Sequence, residues 1–424
     1  MSVEKKEARK LKKFKKLNKV KNLPMPAEPA KLLDIDADLQ EKEKMPIALI
    51  IICAVLWFIG FTYPTGFGIA FGIYDKAQFV ITISLIIIFI KRYREYRLTV
   101  VGIFMGILTL YIVIANRMLH ARHMEDYLWI WGLVPIMAYY RINEKQFKWI
   151  GLIYGGVSTA VLFIGNITSV FDGWDGNSVS IMQFFSYTVF MAIFADIKDV
   201  KNIRYIVIFS VIYLYLISVF ECRSVIWFSV VMLLCMLSII PLRKALNKFT
   251  IFLILLIPLI IALFVIYVSK LPVMESLNSW SIDKFGKLIF NGRDTIWQRG
   301  MEAWGRHPII GNGNFNYERF HNSAVTMLVA GGTCGYIILI LTTYRILIKT
   351  LKWKEDSMIY GLTTAFLVIW MQQSVELGLI STTPNVIPYM ILGLIYARIK
   401  TLEEKENAEA VNNSTDIQHG DISS

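Results

Sequence analysis

Residues 250–268 read TIFLILLIPLIIALFVIYV, a run of nineteen positions without a charged side chain. A helix of about 20 apolar residues spans the ~30 Å hydrocarbon layer of a bilayer. Similar apolar runs recur between residues 46 and 399, separated by short clusters of Lys and Arg. The pattern predicts an all-α, polytopic integral membrane protein, because the strands of a β-barrel would instead alternate in short segments.

The composition supports the same class of protein. Of 424 residues, 55% are hydrophobic and 18% are charged, and the mean hydropathy is +0.52. A soluble protein carries about 25% charged residues. A disordered chain is much less hydrophobic than this one, and a disulfide scaffold is much richer in cysteine. The four cysteines form no C-x-x-C pair, so the sequence indicates neither a disulfide framework nor a zinc site.

We predict about twelve spans with both termini in the cytoplasm. The predicted spans lie near residues 46–63, 77–90, 98–116, 127–140, 149–168, 179–195, 203–220, 224–240, 250–268, 324–344, 358–376 and 381–397. With this count the inner connections carry nineteen Lys and Arg residues and the short outer connections carry four. Such an excess of basic residues marks the cytoplasmic side of a membrane protein.

Two polar tails flank the predicted membrane region. Residues 1–45 form a basic tail with ten Lys and Arg residues among the first 21, which we expect to be disordered and to touch anionic lipid. A nucleic-acid contact is the other interpretation, but the aromatic residues needed for base stacking are not interleaved with the charges, so we predict no nucleic-acid partner. Residues 401–424 form a polar tail that we also expect to be disordered.

One predicted outer segment is much longer than the others. Residues 270–320 separate two apolar runs, whereas the other connections are about ten residues or shorter. Long connections in compact folds usually have a function, so we predict a large extracytoplasmic catalytic loop at 269–323. It lies between spans one to nine (46–268) and spans ten to twelve (324–400). Residues 294–305 within it predict an amphipathic helix, with Ile296, Trp297, Met301 and Trp304 on one face.

Four short motifs follow one another in this loop and in the run after it. They are Asn291-Gly-Arg-Asp-Thr-Ile-Trp297, Pro308-Ile-Ile-Gly-Asn-Gly313, His321-Asn322 and Gly332-Thr-Cys-Gly335. In this order and at this place the motifs resemble those of the O-antigen ligase and polymerase superfamily, which contains lipopolysaccharide ligases and Wzy-type polysaccharide polymerases. The resemblance covers the topology of the whole chain, whereas its motifs cover about residues 219–336.

The sequence departs from the family pattern at two positions. The family often has a Ser-Arg pair at the outer turn after the seventh span, where this chain has Cys222-Arg223. The family also commonly has an acidic residue nine positions after the His, where this chain has Ala330. Both departures leave the family branch open.

The resemblance implies a glycosyltransferase that moves a sugar chain from an undecaprenyl pyrophosphate carrier to a hydroxyl group of another sugar. The leaving group is already activated, so no cofactor and no metal are expected. Arg223 and Arg293 are the expected catalytic cations, because guanidinium groups stay ionised and bind phosphate through two hydrogen bonds. His321 is expected either to take the proton of the attacking hydroxyl or to hydrogen-bond the pyrophosphate.

Three further residues are candidates for substrate binding: Asn322, Trp297 and Glu221. For each there is also a structural interpretation. Asn322 orients His321 or caps the tenth span, and Trp297 anchors the loop at the membrane interface. Glu221 forms either an ion pair or an acid–base pair with Arg223, and the sequence leaves both open. The catalytic candidates have such interpretations too, since Arg223 and His321 suit a membrane interface and Arg293 suits a local pair with Asp294.

Two other polar clusters in the sequence each have two interpretations. His120, His123, Glu125 and Asp126 are either part of a wet polar loop or ligands of a divalent cation, and a metal site needs a fuller set of ligands with fixed geometry. Asp172 and Asp175 flank Trp174 in a short acidic loop, which either contacts a glycan or is simply solvated.

The sequence therefore predicts a polysaccharide polymerase of the bacterial plasma membrane, which joins lipid-linked repeats into O-antigen, capsular or exopolysaccharide. The expected partners are undecaprenyl-pyrophosphate-linked oligosaccharide, the lipid membrane, and a chain-length regulator and flippase of the same pathway. The nearest alternative is a ligase that uses another acceptor, such as lipid A core or a wall polymer. A flippase or transporter is a rival, but transporters place ionisable residues in mid-membrane and often contain repeats.

Overall fold

The structure is a computed structural model. It describes residues 131–139, 142–168, 176–195, 200–220, 222–286, 288–314, 317–376, 378–380 and 385–420, together with positions 51, 53–55, 58, 111 and 114. All of these belong to the second of two compact units, residues 46–424. The basic tail, most of the first three predicted spans, the His120–Asp126 cluster and the Asp172–Asp175 loop lie outside the described residues.

Every regular element in the described part of the chain is helical. The helices before the long connection are α1 (Leu133–Tyr139), α2 (Glu144–Leu152), α3 (Ser158–Thr168), α4 (Gly176–Ile193), α5 (Val200–Ser218), α6 (Arg223–Met236), α7 (Leu242–Ala245) and α8 (Lys248–Val268). The remaining helices are α9 (Val273–Phe285), α10 (Arg293–Arg306), α11 (Ser323–Thr350), α12 (Ser357–Gln372) and α13 (Val386–Gly420). A π-helical segment, Ile153–Val157, joins α2 to α3, and a 3₁₀ turn, Leu351–Trp353, follows α11.

Four of these helical stretches are long and apolar enough to cross a membrane, namely Glu144–Thr168, Lys201–Ser218, Lys248–Val268 and Ser323–Trp353. Three shorter apolar helices accompany them, at Val179–Ile193, Arg223–Met236 and Ser357–Gln372. The helical, membrane-type architecture is thus confirmed for the described residues, whereas the count of twelve spans stays a prediction.

Helix α12 forms the centre of the packing. It contacts α4, α6, α8 and α13, and each of its residues from Met358 to Trp370 is buried. A helix that is apolar on all sides is suited to such an interior position. Helix α8, in contrast, exposes Ile260, Phe264 and Tyr267 on one face, and an exposed apolar face of this kind indicates contact with lipid.

The long connection contains two helices, α9 and α10. The predicted amphipathic helix at 294–305 is confirmed as α10, which buries Trp297, Gly300 and Ala303. The expectation that the polar tail from residue 401 is disordered was wrong for its first twenty residues, because α13 continues to Gly420. The apolar first half of α13 supplies the costly helix nucleus, and residues rich in Glu, Lys and Ala then extend it.

Helix α11 is broken at Gly332, whose φ and ψ are 64° and −170°. The break frees backbone groups, and the segment 308–313 supplies their partners. The N–H groups of Asn312 and Gly313 donate to the carbonyls of Val329 (2.8 Å) and Ala330 (2.9 Å). In return, the N–H groups of Thr333 and Cys334 donate to the carbonyls of Pro308 (2.8 Å) and Ile309 (3.0 Å). Inside a membrane protein freed backbone groups must find such partners.

Two glycines allow this close pairing. Gly311 has φ +73°, and a Cβ atom built on it would overlap the backbone at Ala330 and Gly332. A Cβ atom on Gly332 would overlap the backbone at Ile309 and Gly311. The P-x-x-G-x-G and G-x-x-G motifs are therefore the two halves of one joint between the long connection and α11.

Candidate functional site

The carboxylate of Glu376 connects three polar side chains from distant parts of the chain. Nη2 of Arg293 lies 3.0 Å from Oε1, and Nδ1 of His321 lies 3.4 Å from Oε2. The hydroxyl of Ser224 donates to Oε1 over 3.0 Å. The four residues stand at the start of α6, at the start of α10, just before α11 and just after α12. We call them the Glu376 cluster.

The burial of the cluster is uneven. The side chain of Glu376 is 5% exposed, whereas those of Arg293 and His321 are 27% and 36% exposed. A guanidinium beside a carboxylate offsets part of the free-energy cost of burying the two groups. The two nitrogen-bearing side chains thus share a buried anion and remain accessible to a ligand.

Local backbone geometry sets the direction of Arg293. It is the first residue of α10 and follows Asn291 (φ +53°) and Gly292 (φ +77°), two consecutive residues in the left-handed region. Further along α10, the indole N–H of Trp297 donates to the carbonyl of Phe320. This bond fixes α10 against the segment that leads into His321.

His321 itself has φ +51°, a conformation that is uncommon for residues other than glycine and that concentrates at functional sites. The residue after it holds this geometry. Oδ1 of Asn322 accepts from the N–H groups of Ala324 (2.9 Å) and Val325 (3.0 Å) and so caps α11. Its Nδ2 donates to the carbonyls of Pro258 (2.8 Å) and Ser374 (2.9 Å).

Asn322 and Trp297 are therefore packing residues in this structure. Asn322 is 0% exposed and Trp297 is 1% exposed, and the polar groups of both are bonded to protein backbone. The expectation that they bind substrate directly is corrected by this burial, because neither offers a surface to a ligand. For Asn322 the interpretation as a helix cap is confirmed.

The structure brings together only part of the predicted site. Arg293 and His321 meet at Glu376, whereas Arg223 begins α6 beside Ser224 with an exposed side chain. Arg223 forms no ion pair with any carboxylate in the described part of the chain. Glu221 lies outside the described residues, so its predicted pairing with Arg223 stays a prediction.

Cys222 lies next to the Glu376 cluster. It is buried, and its Sγ is 3.5 Å from Oγ of Ser224. Burial raises the pKa of the Cys222 thiol, and the charge of Glu376 raises this pKa further, while Ser224 and Arg293 act in the opposite direction. The thiol is therefore mainly protonated near neutral pH and is a poor nucleophile.

Glu376 is the residue that the sequence interpretation missed. It falls in the short connection after α12, outside the four motifs, and has no neighbour in sequence with obvious chemistry. One signal was available, since Glu376 is the only charged residue between Asp356 and Arg398. A single ionisable residue within a long apolar stretch is a candidate for function on physical grounds.

Two further observations concern ligands and relatives. Within the described ranges, no group of three or more His, Cys, Asp or Glu side chains is arranged to hold a metal ion. No family model, no curated protein and no solved structure matches this chain.

Proposed function

We propose that this protein is a membrane glycosyltransferase that polymerises lipid-pyrophosphate-linked oligosaccharide repeats. The observation that supports the proposal is the Glu376 cluster, in which the Arg of the N-G-R-D motif and the His of the H-N motif share one buried carboxylate. The resemblance in sequence had suggested these two residues from separate motifs of one pattern, and residues of a common active site must lie close together.

In this proposal Arg293 binds the pyrophosphate of the donor. Only Nη2 of its guanidinium is bonded to Glu376, and no described residue bonds to its other N–H groups, so they remain able to bind phosphate oxygens. Because Glu376 fixes the side chain before the ligand arrives, less conformational entropy is lost on binding. Arg223, exposed at the start of α6, supplies the second cation.

His321 serves as the general base. Its Nδ1 faces Oε2 of Glu376, which favours the tautomer with the proton on Nδ1 and leaves Nε2 as the acceptor. The same carboxylate stabilises the imidazolium that forms when Nε2 takes a proton. General-base catalysis of this kind contributes about 10²- to 10⁴-fold to a rate.

The reaction is a single displacement. The hydroxyl oxygen of the acceptor sugar forms a bond to the anomeric carbon of the donor while its proton moves to Nε2 of His321. The bond between the anomeric carbon and the pyrophosphate oxygen breaks, and the leaving undecaprenyl pyrophosphate keeps the electron pair. Arg293 and Arg223 neutralise the charge that grows on this leaving group, and the anomeric configuration is inverted.

The predicted topology determines on which side of the membrane the Glu376 cluster lies. With about twelve spans and both termini in the cytoplasm, the Glu376 cluster faces the outer side of a bacterial plasma membrane, where a flippase delivers lipid-linked repeats. A chain-length regulator is the expected partner of a polymerase. A ligase would use the same donor chemistry with another acceptor, so the identity of the acceptor distinguishes the two.

Complementation of a polymer-deficient strain tests the assignment. Arg293→Ala and His321→Ala are each expected to abolish long-chain polymer at normal protein levels. The matched controls are Arg306→Ala and His307→Ala, which change exposed residues at the other end of α10 and should leave polymer intact. In vitro, purified protein with lipid-linked repeats should release undecaprenyl pyrophosphate without added nucleotide or metal. Full-length polymer from both site variants would refute the proposal.

A further inference from the structure

An apolar groove runs between α2, α4 and α5. Its volume is about 430 Å³, within the ~300–1,000 Å³ typical of small-molecule sites. The aromatic rings of Phe190 and Phe209 form its floor, with centroids 3.7 Å apart. Leu152, Ile208 and Ile212 form its sides, and Lys148 is the one charged residue among those that line it.

The groove is remote from the Glu376 cluster. It uses the half of α5 near Ile208, whereas the other end of α5, at Ser218, leads to Ser224. At 1.5 Å per residue, Ile208 is about 15 Å from that end of the helix. The predicted topology assigns the groove to the cytoplasmic half of the membrane.

Helix geometry produces the shape of the groove. The π-helical segment Ile153–Val157 interrupts the helix at the groove wall, and such segments often occur at functional sites. Within it, Gly155 packs so closely on Phe190 that a Cβ atom would overlap the ring. This contact holds the aromatic floor in place while Leu152, one turn earlier, stays exposed.

Positive charge marks one end of the groove. Lys145 and Lys148 are three residues apart on α2 and therefore share a face, and neither has an ion-pair partner among the described residues. A second cavity of about 420 Å³ adjoins this end and is lined by both lysines, Trp149, Leu152 and Glu144. Oε1 of Glu144 lies 3.7 Å from Nη2 of Arg398, whose closer partner is Asp356 at 2.7 Å, so the two lysines outnumber the one carboxylate at this end. Exposed Trp149 and Tyr205 suit the level of lipid headgroups.

We propose that this groove is a binding site for an anionic phospholipid. The phosphate lies between Lys145 and Lys148, and one acyl chain occupies the apolar trough over Phe190 and Phe209. Acyl chains can cover any exposed apolar face of a membrane protein, but a trough that ends at two unpaired lysines selects for a negative headgroup. The site does not depend on the proposed glycosyltransferase activity.

Native mass spectrometry of the full-length protein tests the proposal. The purified protein is titrated with dioleoylphosphatidylglycerol and, separately, with dioleoylphosphatidylcholine. The wild-type protein should bind the anionic lipid more tightly. Each lysine near a membrane surface contributes about fivefold to the affinity for anionic lipid, so Lys145→Gln with Lys148→Gln should weaken phosphatidylglycerol binding by about 25-fold and leave phosphatidylcholine binding unchanged.

A second pair of variants tests the trough. Ile208→Trp fills it and should weaken binding of the first phosphatidylglycerol molecule. Val211→Trp changes an exposed residue of the same helix that does not line the groove and should have no effect, and Lys270→Gln is the matched charge control. Melting temperatures check that each variant is folded. Equal affinity of the wild type for the two lipids, or an Ile208→Trp variant that binds like Val211→Trp, would overturn the proposal.

Discussion

Oε2 of Glu376 lies 3.4 Å from Nδ1 of His321, although 55 positions separate the two residues in the chain. Hydrogen bonds hold the two segments together, among them one from Oγ of Ser323 to Oε1 of Gln373 over 3.2 Å. Nδ2 of Asn322 donates to the carbonyl of Ser374 over 2.9 Å, and the N–H of Ser323 donates to the carbonyl of Gln373 over 3.0 Å. The start of α11 is thereby attached to the end of α12, and the imidazole meets the carboxylate as a consequence.

The first prediction concerns Glu376. In the proposed mechanism, Glu376→Gln keeps the shape of the side chain but removes the charge that stabilises the imidazolium formed at His321 and orients Arg293. We expect polymer formation to fall by about 10²-fold or more, while the amount of folded protein stays near that of the wild type. The measurement is the rate of undecaprenyl pyrophosphate release by purified protein.

The matched control for this prediction is Glu275→Gln, which changes an exposed residue of α9 and should leave the rate at the wild-type level. If Glu376→Gln retains the wild-type rate, then Glu376 has a structural role only, and His321 does not need its charge.

The second prediction concerns the joint between segment 308–313 and α11. Gly332→Ala places a side chain in a conformation that only glycine adopts readily, which costs about 1–3 kcal/mol, and its Cβ also overlaps backbone that cannot move aside. Gly311→Ala likewise combines an unfavourable backbone conformation with an overlap between its Cβ and backbone atoms. Both variants should melt several degrees below the wild type in detergent, because each 1 kcal/mol lowers Tm by about 2–4 °C in a domain of about 150–250 residues.

Variants of two other glycines separate the cost of the backbone conformation from the cost of the overlap. Gly286 has φ +66° but open space around it, so Gly286→Ala tests the backbone conformation alone, at about 1–2 kcal/mol. Gly305 is helical and also in open space, so Gly305→Ala should be neutral or slightly stabilising. Equal Tm values for Gly332→Ala and Gly305→Ala would contradict the prediction.

The third prediction concerns Asn322. Asn322→Ser can still cap α11, but it leaves the carbonyls of Pro258 and Ser374 without their donor, at about 1–3 kcal/mol for each buried group. Asn322→Asp keeps the cap but places a buried carboxylate against those carbonyls, and this lowers the stability further than Asn322→Ser does. We therefore expect the wild type to have the highest Tm, Asn322→Ser a lower Tm and Asn322→Asp the lowest.

The exposed cap of α8 provides the comparison. Oδ1 of Asn247 accepts from the N–H of Thr250 over 3.0 Å, and because the side chain is solvated, Asn247→Asp should change the stability by less than about 0.5 kcal/mol. A similar Tm for Asn322→Asp and Asn247→Asp would show that Asn322 does not have the buried contacts described above.

The fourth prediction uses the thiol next to the cluster. Because burial raises the pKa of Cys222, the thiolate that reacts with iodoacetamide is scarce at pH 7 and increases about tenfold per pH unit below the pKa. Glu376→Gln removes a negative charge that raises this pKa, so the thiolate should form at lower pH. Arg293→Gln removes a positive charge and should have the opposite effect.

Mass spectrometry of the peptide that contains Cys222 gives the labelling rate at each pH from neutral upward. The pH at which this rate stops rising reports the pKa and does not depend on access to the thiol. This pH should be lower in Glu376→Gln and higher in Arg293→Gln than in the wild type. The same levelling-off pH in the wild type and in both variants would mean that the two charges do not lie close to Cys222.

Within the described residues, the sequence alone predicted several of the apolar helices. The run at 250–268 predicted the helix Lys248–Val268 to within two residues, and the helix expected from residue 324 begins at Ser323. Such helices are predictable because a backbone in lipid must satisfy its hydrogen bonds within one continuous apolar segment. The spacing of Ile296, Trp297, Met301 and Trp304 likewise predicted α10, since burial of one face sets the period of the pattern.

Only the tertiary structure identified the role of Glu376 and the joint between the two glycine motifs. Neither follows from a local pattern, because the packing of α12 against α4, α6 and α8 determines which connections meet at the end of the bundle. The same packing moved Asn322 and Trp297 from expected ligand contacts into the interior. Apolar runs specify where each helix lies along the chain, whereas contacts between distant side chains depend on how the helices pack, which hydrophobicity by itself does not specify.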